Sequence, residues 1–321
     1  MNKQSQDITL AEQTARERSL RDYVILGLKG FCMGASDVVP GVSGGTMAFI
    51  LGIYEELIDA IKSIDLKVIR LALSLKVKAV LRAVPWQFLL SIFIGILLAF
   101  LTLARGLEWL LENQPLYLWS FFFGLVLASG LTVSSRVTKW GIGAVTSLVV
   151  AAIAAWFIVG LIPVQTSDTP VTIFLSGMVA ICAMILPGIS GAFILFVLGK
   201  YQTMLNALTN FNVATIGIFA AGAGVGIISF ARVVSWLFKR YHDITVAGLI
   251  GLMLGSLRKL WPWKETISTT LDRHGETIPL VQINIAPPGF GPEFFAAVGL
   301  AVLGFVLVIA LDKIAGQKGF E

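Results

Sequence analysis

Two short stretches hold the residues that could do chemistry. They are "DVVPGVSGGTMAFILGIYEELIDA", residues 37–60, and "MILPGISGAFILFVLGKYQTMLNA", residues 184–207. Each carries a Pro-Gly pair, Pro40-Gly41 and Pro187-Gly188, inside an apolar run. Such a turn frees backbone N–H groups, and a helix that starts there aims its positive end at the turn. Gly41, Gly44, Gly45, Gly188 and Gly191 let a ligand approach the backbone, while Ser43, Thr46 and Ser190 add hydroxyls. That set is suited to binding an anion. The same small residues could instead serve only to pack helices closely. Ala192 and Phe193 stand where the first stretch has Gly45 and Thr46, so the first site is expected to be the more polar.

The ionisable residues extend this reading. Asp37 is an acid within an apolar segment, costly there and by default functional, and it is a candidate proton carrier. Arg105 and Arg232 are candidates to receive an anionic head group, or else interfacial residues that snorkel to water. Other chemistries find little footing. "GVSGGT" lacks the Gly-Lys-Ser/Thr ending of a nucleotide loop. The two histidines and two cysteines form no metal-ligand spacing, and no cofactor is implied. The Ser-Gly-Gly stretch has none of the basic and histidine partners that a phosphatase needs, which argues against an enzyme.

The elements that must position these residues are membrane helices. The 321 residues are 56% hydrophobic and 13% charged with mean hydropathy +0.85, more apolar surface than one soluble core can bury. The expected fold is an all-α polytopic membrane protein. Residues 1–22 are polar and basic and read as a cytoplasmic arm. The net charge of +5 does not point to nucleic acid, because the bases fall in loops beside a membrane.

The two opening stretches align without a gap at an offset of 147, matching Pro40 with Pro187, Ser43 with Ser190, Gly52 with Gly199 and Tyr54 with Tyr201. A weaker match at an offset of 127 joins Arg105 with Arg232, Trp109 with Trp236, Gly124 with Gly251 and Ser129 with Ser256. Repeat 1 is therefore expected over 23–162: a re-entrant hairpin over 23–61, unless its two pieces are tilted full spans, then a basic amphipathic segment over 62–85 and three spans. Repeat 2 is 163–313: a hairpin over 171–208, three spans and an external loop over 258–292, followed by a cytoplasmic tail over 314–321. The odd number of crossings per repeat makes the halves inverted, a plan used by transporters whose substrate binds where the repeats meet. With the N-terminus inside, most of the 24 Lys and Arg residues fall on the cytoplasmic side. The segment "KSIDLKVIRLALSLKVKAVLR", residues 62–82, reads as a helix lying against anionic lipid, or as an ordinary basic loop.

At "DVVPGVSGGTMAFILGIYEEL" and "MILPGISGAFILFVLGKY" the chain resembles a bacterial family of polyprenyl-phosphate transporters, over about residues 20–313. The resemblance implies recycling of undecaprenyl phosphate from the outer to the inner leaflet of the cytoplasmic membrane. It makes phosphate the anion expected at the two Pro-Gly motifs. Uptake of a small soluble anion is the alternative that the same hairpins could serve.

Overall fold

The computed structural model describes residues 18–38, 42–162, 164, 166–271 and 277–317. Pro40 and Gly41, most of the N-terminal arm and the last residues of the tail lie outside them. The described residues form fourteen helices and one two-stranded antiparallel hairpin. Trp86–Asn113 (α6), Pro115–Ser134 (α7), Val213–Arg240 (α12) and the Pro292–Lys313 portion of α14 (Pro292–Gln317) are long and apolar enough to cross a membrane. Ile142–Ile158 (α8) and Pro170–Ile185 (α9) are shorter apolar helices. The chain is a multi-pass helical membrane protein.

Both expected hairpins contain three helices rather than two. Leu20–Val38 (α1) leads to Gly44–Ile50 (α2) and Tyr54–Lys62 (α3), and α9 leads to Gly191–Val197 (α10) and Tyr201–Thr209 (α11). The breaks fall at the matched glycines, Gly52 with φ +69° and Gly199 with φ +67°. In each, the glycine N–H and the next N–H close back on the helix: Gly52 to Phe49 O and Ile53 to Ala48 O, Gly199 to Phe196 O and Lys200 to Leu195 O. This double bond pattern is a left-handed glycine cap, which terminates a helix. α2 and α10, at seven residues each, rise only about 10 Å, a third of a hydrocarbon core.

The segment expected as one amphipathic helix is two, Leu66–Leu73 (α4) and Val77–Ala83 (α5). Leu75, at φ 54°, breaks them without a glycine to announce it. The expected external loop also holds more structure. His242–Leu260 (α13) runs into it, and Lys264–Leu271 (β1) pairs with Thr277–Asn284 (β2).

Helix packing follows the sequence repeat. α1 lies along α6 as α9 lies along α12, and α7 lies along α14 as α13 lies along α8. Glycines at equivalent positions permit each approach. A side-chain carbon at Gly30 or Gly95 would enter the backbone of the other helix of the α1–α6 pair, and at Gly177 or Gly222 that of the α9–α12 pair. Gly124 abuts Ala301 on α14, and Gly251 abuts Leu148 on α8, in the same way. Small residues take this role in membranes because lipid supplies no hydrophobic drive between helices. Gly251→Val should therefore push α8 off α13 and cost about 1–3 kcal/mol, the usual cost of overpacking. Thermal unfolding in detergent measures it, and an unchanged midpoint contradicts the packing.

Candidate functional site

The start of α2 and the turn that follows α9 bring Ser43, Thr46 and Gly188 to one place. Ser43, fully buried, is the N-cap of α2, where its Oγ accepts from Gly45 N–H at 3.1 Å. The same hydroxyl donates toward Met184 O and Leu186 O, 3.2 Å from each, at the end of α9. In return Gly188 N–H donates to Thr46 Oγ1 at 2.9 Å. Ser43, Thr46 and Gly188 thus tie the start of α2 to the end of α9 and the Pro187-Gly188 turn, across some 140 residues of sequence.

The N-terminal amides of α2 are already occupied. Gly44 N–H donates to Asp37 Oδ1 at 2.7 Å, and the Thr46 and Met47 N–H groups donate to Ser43 O. Asp37 is thus the anion at the positive end of this helix. At its other end Lys29 Nζ donates to Leu51 O at 2.8 Å, a cation among the carbonyls of the last turn. Both charges come from α1, so one helix compensates both poles of its neighbour.

The second turn is built differently. Ser190 is the N-cap of α10 but makes no side-chain cap bond. Among the described residues Ser190 Oγ and the Gly191 amide have no hydrogen-bond partner, whereas the equivalent groups of the first turn are bonded within the chain. Gly45 has no room for a side chain: a Cβ there would meet Ile185 O at 2.5 Å. Its counterpart Ala192 is exposed, which accounts for the alanine. Thr46 and its counterpart Phe193 are both buried, but Phe193 lies under the Lys259 ammonium, 5.2 Å from ring centroid to Nζ.

The far end of α10 is held by the loop before α9. Val164 N–H and Thr166 Oγ1 donate to Val197 O and Leu198 O, and the buried Lys200 Nζ donates to Thr166 O, Ser167 O and the Asp168 carboxylate. The bond from Lys200 holds Asp168 below the ordinary carboxylate range.

Arg105 is exposed on α6 and Arg232 half-buried on α12, and neither has an ion-pair or hydrogen-bond partner among the described residues. No bond joins either one to the two turns. An open cleft of about 590 Å³ lies elsewhere, at the α7–α8 and α12–α13 corners, where Asp243 accepts from Thr138 and Lys139 N–H groups and ties the corners together. Sequence reading passed over Lys259 and Lys264, placed only as external residues. The signal was the run "RKLWPWK", residues 258–264, bases between tryptophans with no acid.

A family model described as undecaprenyl phosphate translocase-like matches residues 33–278, a region that takes in both turns. The chain belongs to that family. Within it, the chain is similar to a polyprenyl-phosphate transporter of Vibrio cholerae, 41% identical over 92% of this chain and 97% of the relative. It is also similar to a polyprenyl-phosphate transporter of Staphylococcus aureus, 34% identical over 91% of this chain and 96% of that protein. No solved structure matches the chain significantly. This translocase-like chain thus carries its bonded pair of turns in the part its family shares.

Proposed function

We propose that the chain transports a polyprenyl phosphate, undecaprenyl phosphate in the first instance, from the outer to the inner leaflet of the bacterial cytoplasmic membrane. The relatives' shared name supports the substrate. The observation that carries the mechanism is the set of bonds from Ser43 and Thr46 to the second turn, which makes one polar locus out of two halves. In this reading α1–α2 and α9–α10 are re-entrant, the halves are inverted, both termini are cytoplasmic, and the joined turns lie near the midplane.

A phosphate reaching that locus takes over groups that the turns now lend each other. Ser43 and Thr46 exchange their in-chain partners for phosphate oxygens, and Ser190 with the Gly191 amide adds donors from the opposite side. The prenyl chain stays in lipid. Rocking of one half against the other then exposes the locus to each leaflet in turn. Arg105 and Arg232, at repeat-equivalent positions, guide the head group on opposite faces. Asp37, against the first short helix, carries a proton that offsets the charge moved inward. The bases of α4 and α5 rest on anionic lipid at the cytoplasmic surface.

Leaflet exchange of a labelled polyprenyl phosphate in proteoliposomes, run beside uptake of soluble phosphate, tests this. The lipid should move and the soluble anion should not. Ser43→Ala combined with Ser190→Ala should cut the exchange at least about tenfold, since two hydrogen bonds to a charged group are each worth about 1.5–3 kcal/mol. Soluble anion uptake without lipid exchange overturns the lipid reading, and full activity in the double variant overturns the site.

A further inference from the structure

Two lysines, Lys259 in the last turn of α13 and Lys264 at the start of β1, have no role in the mechanism above. Lys264 Nζ donates to Lys259 O at 2.7 Å and sits 4.1 Å from the centre of the Trp119 ring. Lys259 Nζ lies over Phe193 and has no hydrogen-bond acceptor among the described residues. Neither ammonium is within ion-pair reach of a carboxylate there, although both side chains are half-buried. Burial, with the charge of Lys259 beside it, pushes Lys264 down to about 7. Like charges held together and partly out of water are costly unless an anion joins them.

The frame around them is fixed. Lys264 begins β1 opposite Asn284, whose amide donates to Arg258 O, and Trp261 Nε1 donates to Ile285 O. Trp261 also packs edge-on against Phe123 of α7, 5.7 Å between centroids. From the pair, α13 leads one turn inward to Ser256, beside Gly188 of the second turn: a Cβ on Gly188 would stand 2.9 Å from Ser256 Oγ.

We propose that Lys259 and Lys264 form a receiving site for a lipid-borne phosphate monoester on the β-hairpin side of the membrane, with Trp119 and Phe193 flanking the first units of its chain. This rests on the transporter reading given above. A monoester carries about −1.5 to −2 charges at neutral pH, which two ammoniums match, whereas a phosphodiester lipid brings one. The aromatic flanks favour a phosphate that arrives with apolar carbons over inorganic phosphate. Phe193 and Ser256 then connect the site to the second turn.

The test uses the full chain. In detergent, tryptophan fluorescence is titrated with farnesyl phosphate, inorganic phosphate or phosphatidylglycerol; in proteoliposomes, exchange of labelled polyprenyl phosphate is followed against its concentration. Farnesyl phosphate should bind the wild type at least tenfold more tightly than the other two. Lys259→Gln with Lys264→Gln should weaken that binding at least tenfold and raise the half-saturating lipid concentration, with the maximal rate kept. Lys259→Arg with Lys264→Arg should restore both. Should the double glutamine variant misfold, the single Lys264→Gln variant and the arginine pair carry the comparison. Unchanged binding and half-saturation while wild type transports overturns the receiving site alone. Inorganic phosphate or phosphatidylglycerol binding as tightly as farnesyl phosphate overturns its substrate. A wild type that exchanges no polyprenyl phosphate overturns the transporter reading and this assignment with it.

Discussion

Asp37→Asn should leave the chain folded and lower the inward accumulation of polyprenyl phosphate by up to about 50-fold at a membrane potential of 100 mV. The asparagine oxygen still accepts from Gly44 N–H, the bond that Asp37 Oδ1 makes at 2.7 Å, so the start of α2 keeps its cap. What disappears is the charge. Moving one negative charge toward a negative interior is opposed by about 2.3 kcal/mol per 100 mV, and about 1.4 kcal/mol is a factor of ten. On the proposed coupling, a proton carried on Asp37 would cancel one such charge in each cycle, and asparagine carries none. Exchange in proteoliposomes with an imposed potential, measured across a range of pH, decides the matter. The wild type should respond to both pH and potential in the sense of proton entry, and the variant should lose its pH response. A variant that accumulates substrate like the wild type at every pH removes Asp37 from the coupling.

Gly45→Ala should damage stability and exchange together. The added carbon would lie 2.5 Å from Ile185 O and 3.2 Å from Met184 O, and these atoms are main chain that cannot rotate aside. Relief requires the two turns to separate, which breaks the bonds from Ser43 to Met184 and Leu186 and from Gly188 to Thr46. Counting the single Ser43 proton as one bond and the Gly188 amide as a second, at about 1 kcal/mol each, with about 1–3 for the overpacking, the loss should reach about 3–5 kcal/mol, and exchange should cease. Ala192→Gly, at the exposed counterpart, is the control and should cost about 1 kcal/mol or less. Thermal midpoints of the two variants, taken in one detergent, should differ clearly. Equal midpoints contradict the close approach of the turns.

What could be read beforehand was local or periodic. Long apolar runs announce α6, α7, α12 and α14 because a bilayer demands about 20 such residues in a row. The gapless match of Gly124 with Gly251 named two residues that pack alike, against α14 and α8. The stops at Gly52 and Gly199 were also on view as matched Leu-Gly pairs, but hydropathy averages over a single glycine and ran each helix through it. No such mark exists at Leu75, whose left-handed backbone splits α4 from α5. The β-hairpin was legible in part, since "KETISTTL" is rich in β-branched residues. The partners of the motif were not. Propensity and spacing foretold free amides beside the first turn, yet Asp37, seven residues away, and Ser43 itself take them. Nothing local links Ser43 to Met184, because that bond depends on how two distant hairpins dock.

The Ser43 hydroxyl has one proton and faces two carbonyls at equal distance, so it can satisfy only one of them fully at a time. Together with the Thr46 bond this makes a latch between the halves, held by a few kcal/mol at most. In the proposed mechanism such a latch stays shut for most of the time and would yield to a single well-placed phosphate oxygen. The key and the cargo would then be the same molecule, and the halves would have little reason to swing with nothing aboard.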